Sequence, residues 1–300
     1  MTKITKAGVY DISFEEYHSN PVADGHSVSG SGLIEIEQTC LALYHFNSYH
    51  NPDRPSDDDT PAKQFGRVFH TLALEGETAF AARYFVKPRD MNFATKEGKA
   101  WKLDHAGREI IPEEWADRAA AMVAAIKAHP LCGRVFRHGH PERSILWKDA
   151  ETGIWCKTRP DFLPQIGETI ANLKSTMSLH PARWEKQAID LGYHQSSALL
   201  EDGLREVCGW RRPVGYFLVQ EKTAPYLTAP VVIDDDVISW GRRLNRRSLR
   251  RLADSLSTGR WPSYTDGVLT VRMPKWAESQ LEARFANGEF PDIAQQGSIT

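Results

Sequence analysis

The chain has 300 residues, of which 41% are hydrophobic and 25% are charged. These values are ordinary for a globular protein and exclude a collagen-like, mucin-like or wholly disordered chain. The 37 lysines and arginines and the 39 aspartates and glutamates give a formal net charge of −2. By itself this value gives no indication of an anionic partner. The length is typical of one large domain or two small ones.

The cysteines and the apolar segments indicate the compartment. Four cysteines lie far apart, at Cys40, Cys132, Cys156 and Cys208, without the CxxC spacing typical of zinc or iron–sulfur sites. The N-terminal segment has no apolar run typical of a signal peptide, and no stretch reaches the ~18 apolar residues of a membrane helix. The sequence therefore predicts a protein of the reducing cytoplasm that does not enter membranes.

The first half of the chain predicts mainly helices. Residues 1–30 are predicted to be an irregular lead-in. Apolar residues at helical spacing then predict helices over 29–47, about 62–76 and about 113–128. A loop rich in proline and aspartate separates the first two helices.

The second half changes period. The predicted strands are 144–148, 154–158, about 169–175, 214–220 and about 226–233, and the predicted helices are about 192–207 and 240–256. This order predicts one α/β domain with a mixed sheet over residues 1–285, followed by a flexible tail at 286–300.

Polar residues that suit metal and phosphate chemistry lie in the strand region. Asp161 follows one predicted strand, and Asn172 and Lys174 share a face of the next because side chains alternate. Oxygen ligands suit Mg²⁺, and a nearby lysine can orient water and stabilise charge on a phosphate. His70 and Glu142 are further candidates for the same pocket. The spacing alone leaves open a turn aspartate and a solvated strand lysine.

Several motifs in a specific order resemble the PD-(D/E)xK nuclease signature, and most closely its RecE-type (exonuclease VIII) branch of phage and prophage exonucleases. The motifs are Arg159-Pro160-Asp161, Ile170–Thr176, GRVFH at 66–70, ERSILW at 142–147, GIWCKTRPD at 153–161, Tyr193-His194 with Asp202-Gly203, GRWP at 259–262 and MPKW at 273–276. The resemblance covers a core of about residues 65–280.

The resemblance implies a restriction-endonuclease-like fold, with a mixed central sheet flanked by helices. It implies Mg²⁺-dependent 5′→3′ digestion of one strand at the ends of duplex DNA, with Mn²⁺ as a possible replacement. Subunits would form a ring, with a tetramer as one possible size, and the 3′ overhang would pass to a single-strand annealing protein for recombination in the cytoplasm of a bacterial host. His70, Asp161, position 172 and the Leu173 carbonyl would be metal ligands, and Lys174 would be the catalytic lysine.

Two departures from the family pattern concern this site. Position 172 normally carries aspartate or glutamate, and Asn172 offers one neutral oxygen instead. The following helix normally carries glutamine and then tyrosine, where this chain has Ser196 and Leu200; Gln195 lies about 100° around the helix from that position. Asn172 is therefore open to three interpretations: drift to a weak or inactive nuclease, an engineered substitution, or a working variant in which Glu142 supplies the missing charge.

The predicted helix 240–256 carries three arginine pairs: Arg242, Arg243, Arg246, Arg247, Arg250 and Arg251. They cover about half of the helix circumference at ~100° per residue, and leucines cover the other half. No acid lies between 242 and 251, so their mutual repulsion is not relieved within the segment. We predict that this face binds DNA phosphates, with a solvated stripe or a subunit contact as alternatives.

The sequence supports three functional hypotheses. The first is a RecE-like exonuclease. The second is a catalytically weakened or inactive DNA-binding homologue, which Asn172 and the altered helix motif favour. The third is an oligomerising phage protein that does not contact DNA.

Overall fold

A computed structural model describes residues 3–19, 21–55 and 59–290. The chain divides into two compact units, Met1–Pro262 and Ser263–Thr300. The single domain predicted over 1–285 stays a prediction, and most of the predicted tail lies outside the described residues. No helix in the described ranges has the length and apolar character needed to cross a membrane.

The helices of the first unit are α1 (Phe14–His18), α2 (Gly30–Gln38), α3 (Leu41–Asn47), α4 (Pro61–His70), α5 (Gly76–Arg83), α6 (Lys96–Asp104), α7 (Glu113–Ala128), α8 (Pro181–Asp190), α9 (Tyr193–Cys208) and α10 (Asp235–Thr258). A single turn of π-helix, Thr71–Glu75, joins α4 to α5. The second unit contains α11 (Lys275–Ala286).

The strands are β1 (Gly8–Tyr10), β2 (Ser27–Ser29), β3 (Tyr84–Lys87), β4 (Glu109–Pro112), β5 (Gly139–Pro141), β6 (Ser144–Lys148), β7 (Trp155–Thr158), β8 (Phe162–Pro164), β9 (Thr169–Thr176), β10 (Val214–Glu221) and β11 (Thr228–Val232). They form a five-stranded sheet of order β11-β10-β9-β8-β5, a four-stranded sheet of order β1-β6-β7-β2, and a β3-β4 pair.

The two larger sheets are mixed, as the sequence predicted. In the five-stranded sheet β9 and β10 run parallel, while β8 and β11 pair antiparallel with their neighbours. In the four-stranded sheet β2 runs parallel to β7, and the β6–β7 hairpin is antiparallel. Helices flank these sheets, so the predicted fold class is confirmed.

Strand β9 lies between two apolar layers. Ile170 packs in a cluster with side chains of α2, α9 and α10, whereas Leu173 faces the opposite cluster with α4 and α7. The two residues face opposite ways because side chains alternate along a strand. Helices α9 and α10 approach closely: a Cβ at Gly241 would lie 2.2 Å from the carbonyl oxygen of His194. The two apolar clusters hold β9, which carries Asn172, Leu173 and Lys174.

The sequence predicted the second half better than the first. The predicted irregular lead-in contains β1, α1 and β2, and the predicted helix over 29–47 is two helices that separate at Thr39 and Cys40. Thr39 leaves helical geometry, and its hydroxyl donates to the Glu35 carbonyl. Helices α8 and α11 were missed. The predicted helix 240–256 begins earlier, because the Asp234 side chain caps it by accepting from the Asp236 amide.

Candidate metal centre and arginine-lined cleft

Three side chains from separate elements converge at the metal centre. His70 ends α4, Glu142 lies between β5 and β6, and Asp161 lies between β7 and β8. One ligand atom from each lies within 4.8 Å of the other two. His70 is followed directly by the π-helical turn, a feature common at functional sites. The fold thus assembles a histidine and two carboxylates that are separated widely in sequence.

Hydrogen bonds hold the Asp161 carboxylate in place. Its Oδ2 accepts from the backbone N–H of Leu173 at 2.6 Å, and its Oδ1 lies 4.0 Å from Nδ1 of His70. The Asp161 amide donates to Oδ1 of Asn172 at 3.1 Å. Asn172 therefore fixes the backbone of the Asp161 turn with the same oxygen that the sequence suggested as a metal ligand.

Glu142 is held in an unfavourable backbone conformation. Its φ of 53° is in the left-handed region, where non-glycine residues are uncommon. The Glu142 amide donates to the carbonyl oxygen of Asp161 at 3.1 Å. The contact keeps the Glu142 carboxylate beside Asp161. Backbone strain of this kind is concentrated at functional sites.

The electrostatics of the centre suit a cation. Burial, reinforced by the negative charge of Asp161, raises the pKa of Glu142 to about 7. Burial lowers the pKa of His70, which favours the neutral ring that can ligate a metal. Two adjacent carboxylates and a neutral imidazole fit a divalent ion such as Mg²⁺ or Mn²⁺. The residues present therefore fit a divalent metal ion, and the choice of Mg²⁺ stays a prediction.

Lys174 and the Leu173 backbone border the centre. The positive charge of Lys174 acts to lower the pKa values of both His70 and Glu142. Its Nζ lies 6.0 Å from the ring centroid of Tyr193. A hydrogen bond to the Leu173 backbone opposes the lowering of the His70 pKa. All six residues that the sequence named for catalysis and metal binding thus lie at or beside one centre.

An open cleft of about 640 Å³ leads to Glu142. Its lining includes four arginines, Arg67, Arg83, Arg143 and Arg159. The first three form ion pairs with Asp59, Glu75 and Asp11. Arg159 instead donates to the Ser144 hydroxyl at 2.7 and 2.9 Å and to the Ile12 carbonyl at 2.7 Å. The sequence did not predict an arginine-lined cleft, because these arginines are scattered singly along the chain; Arg67, Arg143 and Arg159 lie inside motifs of the resemblance, and Arg83 lies outside them.

The family's helix motif is altered in the structure as well. Leu200 is buried in the core, and the Ser196 hydroxyl donates to the Tyr193 carbonyl. Gln195 donates its amide to Oδ1 of Asn245 at 3.2 Å. Gln195 therefore binds α10, and Tyr193 is the residue of this helix that lies beside Lys174.

The arginines of α10 do not form the unrelieved cationic face that the sequence predicted. Acids from other elements pair with four of them: Arg242 with Glu201 and Asp202, Arg246 with Asp149 and Glu151, Arg247 with Glu37, and Arg250 with Glu151. Arg251 donates to the Ile36 carbonyl, and Arg243 lies 4.7 Å from the Trp240 ring centroid. The predicted repulsion among these arginines is therefore relieved by the fold; DNA binding by this face stays a prediction.

The mixed sheet, the flanking helices and the Asp161–Lys174 site define a protein of the PD-(D/E)xK nuclease class. More specifically, the chain belongs to the family described as "PDDEXK-like domain of unknown function (DUF3799)", which matches residues 33–274.

One similar solved structure is a crystal structure of a protein from Eubacterium rectale described as a candidate exonuclease. It shares 14% sequence identity with this chain at a TM-score of 0.62, covering 88% of this chain and 97% of that chain. This similarity concerns the fold. No curated protein is significantly similar to this chain in sequence.

Proposed function

We propose that this protein is a divalent-metal-dependent exodeoxyribonuclease that digests one strand of duplex DNA in the 5′→3′ direction. The observation that carries the proposal is the convergence of His70, Glu142 and Asp161 beside Lys174, at an arginine-lined cleft. The exonuclease description of the Eubacterium rectale protein supports exonuclease activity, and the sequence resemblance to RecE-type enzymes supports the direction and the substrate. Mg²⁺ is the proposed ion, with Mn²⁺ as a replacement.

Each residue of the centre has a distinct task. His70, Glu142 and Asp161 would hold the ion, which supplies positive charge for phosphodiester hydrolysis. Lys174 orients the attacking water and stabilises negative charge on the phosphate. Asn172 fixes the Asp161 turn through the hydrogen bond at 3.1 Å, and Glu142 provides the second carboxylate that position 172 lacks. This division favours the interpretation of Asn172 as part of a working site.

The wider proposal follows the family resemblance. The protein would act on DNA ends in the cytoplasm of a bacterial host, as part of phage-type recombination, and would pass its 3′ overhang to a single-strand annealing protein. Its subunits would form a ring, which sedimentation analysis can test. The α10 arginines would contribute phosphate contacts where exposed Arg243, Arg247 and Arg250 can exchange their partners for DNA.

The test is digestion of linear duplex DNA labelled at either 5′ or 3′ ends, with Mg²⁺ or Mn²⁺. We expect early release of the 5′ label by the wild type and by Lys148→Ala, which changes an exposed lysine of β6. Lys174→Ala should lose activity by ~10²-fold or more. Equal activity of the Lys174→Ala protein would refute the proposed mechanism, and early release of the 3′ label would refute the direction.

A second candidate function rests on Asn172, which replaces a carboxylate with a neutral amide. The protein would then be a weakened or inactive DNA-binding homologue. Asn172→Asp distinguishes the two functions: a large rate increase would show that the natural site is impaired. An active wild type with little change on substitution would support compensation by Glu142.

A further inference from the structure

A small polar pocket lies between β2, the start of α2, α3 and β7. Its volume is about 110 Å³, and its lining includes Ser27, Ser29, Ser31, His50 and Lys157. A water molecule needs about 10–15 Å³ of such space, so the pocket has room for a tetrahedral oxyanion. None of the three metal-centre residues is among its described lining residues.

Lys157 places a buried positive charge in this pocket. Its residue is 5% exposed, and Nζ donates to the Tyr17 carbonyl at 2.5 Å and lies 4.8 Å from the Tyr17 ring centroid. Within the described ranges, Lys157 forms no ion pair with a carboxylate. Burial lowers the pKa of Lys157 to about 8, because the ammonium lacks a compensating charge. An anion would supply that charge.

Hydroxyl groups on β2 and α2 face the same space. Ser27 and Ser29 share one face of β2, and Ser29 is directly opposite Lys157 in the parallel β2–β7 pair. The Ser27 residue is 3% exposed, and its Oγ has no hydrogen-bond partner among the described residues. A buried hydroxyl without a partner is costly. Ser27 Oγ therefore indicates that a polar ligand belongs in the pocket.

The start of α2 adds a favourable field. Ser29 caps this nine-residue helix by accepting from the Gly32 amide at 3.4 Å, and its Oγ lies 2.8 Å from that of Ser31. The positive end of the helix dipole and its unsatisfied N–H groups favour an anion there. Glu35 is the one carboxylate in the described lining, and it accepts from Nδ2 of Asn47 at 2.7 Å.

We propose that this pocket binds a phosphate group, held by the Lys157 ammonium, the hydroxyls of Ser27, Ser29 and Ser31, and the N-terminus of α2. The phosphate is either free inorganic phosphate or the terminal phosphate of a nucleotide or oligonucleotide. Phosphate binding here depends on the residues of this pocket and not on nuclease activity, so it can be tested separately from the proposed function.

The first test measures the melting temperature against inorganic phosphate in EDTA, with ionic strength held constant by chloride. A ligand that binds only the folded state raises the melting temperature in a saturable manner. We expect this rise for the wild type and for the control Lys148→Met, and at least a tenfold loss of phosphate affinity for Lys157→Met. Equal phosphate affinity of Lys157→Met and wild type would overturn the proposal.

A second measurement avoids dependence on the variant's folding. In the wild type, inorganic phosphate should shift the ring NMR signals of His50, which lines the pocket, with the same saturation curve. The ring of His70 should not respond. A response of His70 alone, or no saturable response of His50, would overturn the proposal even if Lys157→Met fails to fold.

Competition then identifies the source of the phosphate. Oligothymidylates with and without a terminal phosphate are added to the phosphate-saturated wild type in EDTA. Displacement by the phosphorylated strand alone would assign the pocket to a nucleic-acid end. No displacement by either strand, with the phosphate response intact, would assign it to free phosphate. Both results uphold the site.

Discussion

The metal centre and the α10 arginine face are both rich in charge, but the fold places like charges together at the first and pairs opposite charges at the second. At the metal centre it places two carboxylates together, with the Glu142 backbone in the left-handed region. On α10 it brings carboxylates from α2, α9 and the turn after β6 onto the arginines. A charge count of the sequence cannot separate these cases. Function is better indicated by charges that the fold leaves uncompensated.

The largest effect that we expect is on nuclease activity, and it should distinguish Asp161 from Asp149. Asp161→Asn removes a proposed metal ligand and should lower nuclease activity by ~10²-fold or more, while an amide oxygen can still accept the Leu173 hydrogen bond. Asp149→Asn instead weakens the contacts with Arg246. Its folded fraction should keep wild-type activity, measured as nucleotide release per folded molecule. Loss of activity in both folded proteins would remove the distinction between the two regions.

The same two substitutions should affect stability in the reverse order, with the larger loss for Asp149→Asn. Asp149 Oδ1 and Oδ2 accept from Arg246 at 2.8 and 2.9 Å, and charged hydrogen bonds contribute ≈1.5–3 kcal/mol. We therefore expect Asp149→Asn to lower the free energy of unfolding in EDTA by about 1.5–3 kcal/mol, measured by urea denaturation. Asp161→Asn should change it much less, because the repulsion with Glu142 is relieved. A larger loss for Asp161→Asn would contradict this interpretation.

These two regions also show how far sequence reasoning reaches. Asp161, Asn172 and Lys174 lie close in sequence and on adjoining elements, so their spacing and the family motif predicted that they meet. Arg247 and Glu37 lie 210 positions apart, and no local pattern links them. The predicted helices and strands followed from periodicity, while the acids that neutralise α10 depend on tertiary packing.

The proposed phosphate pocket could not be predicted from the sequence either, because it also depends on tertiary packing. Ser29 lies at a helix start and Lys157 in a strand, and each is ordinary in its local sequence. Their pairing across β2 and β7 brings them together. Resemblance could indicate His70, but it could not show that the Asn172 oxygen binds the Asp161 amide.

Two half-buried histidines, His26 and His50, lie near α3 and extend the comparison to pH. Burial lowers the pKa of His26 to about 3 and also lowers the pKa of His50, which stacks on His26 at 3.7 Å between ring centroids. In the unfolded chain both would titrate near 6.5. The unfolded state therefore binds more protons below pH 6.5, so stability present above that pH is lost as pH falls toward 3.

We expect His26→Gln to remove part of this acid sensitivity. Between pH 7.5 and 5, the wild type should lose about 1–2 kcal/mol more free energy of unfolding than the variant, since one pH unit corresponds to about 1.36 kcal/mol per proton. Glutamine can retain a hydrogen bond with the Tyr44 hydroxyl, which now lies 3.1 Å from His26 Nε2. Urea denaturation at both pH values measures the difference, and His138→Gln, at an exposed position, is the control. Parallel pH curves for wild type and His26→Gln would refute the assignment.

The smallest expected effect concerns DNA binding by single arginines. Arg243 is exposed and lies against the Trp240 ring, whereas Arg159 lines the cleft that leads to Glu142. Each phosphate contact contributes about 0.9 to the slope of log affinity against log salt. With catalysis blocked by EDTA, we expect Arg159→Gln to reduce the magnitude of the slope for duplex DNA by about that amount and Arg243→Gln by less. The reverse order would move the main DNA contact from the cleft to the exposed face of α10.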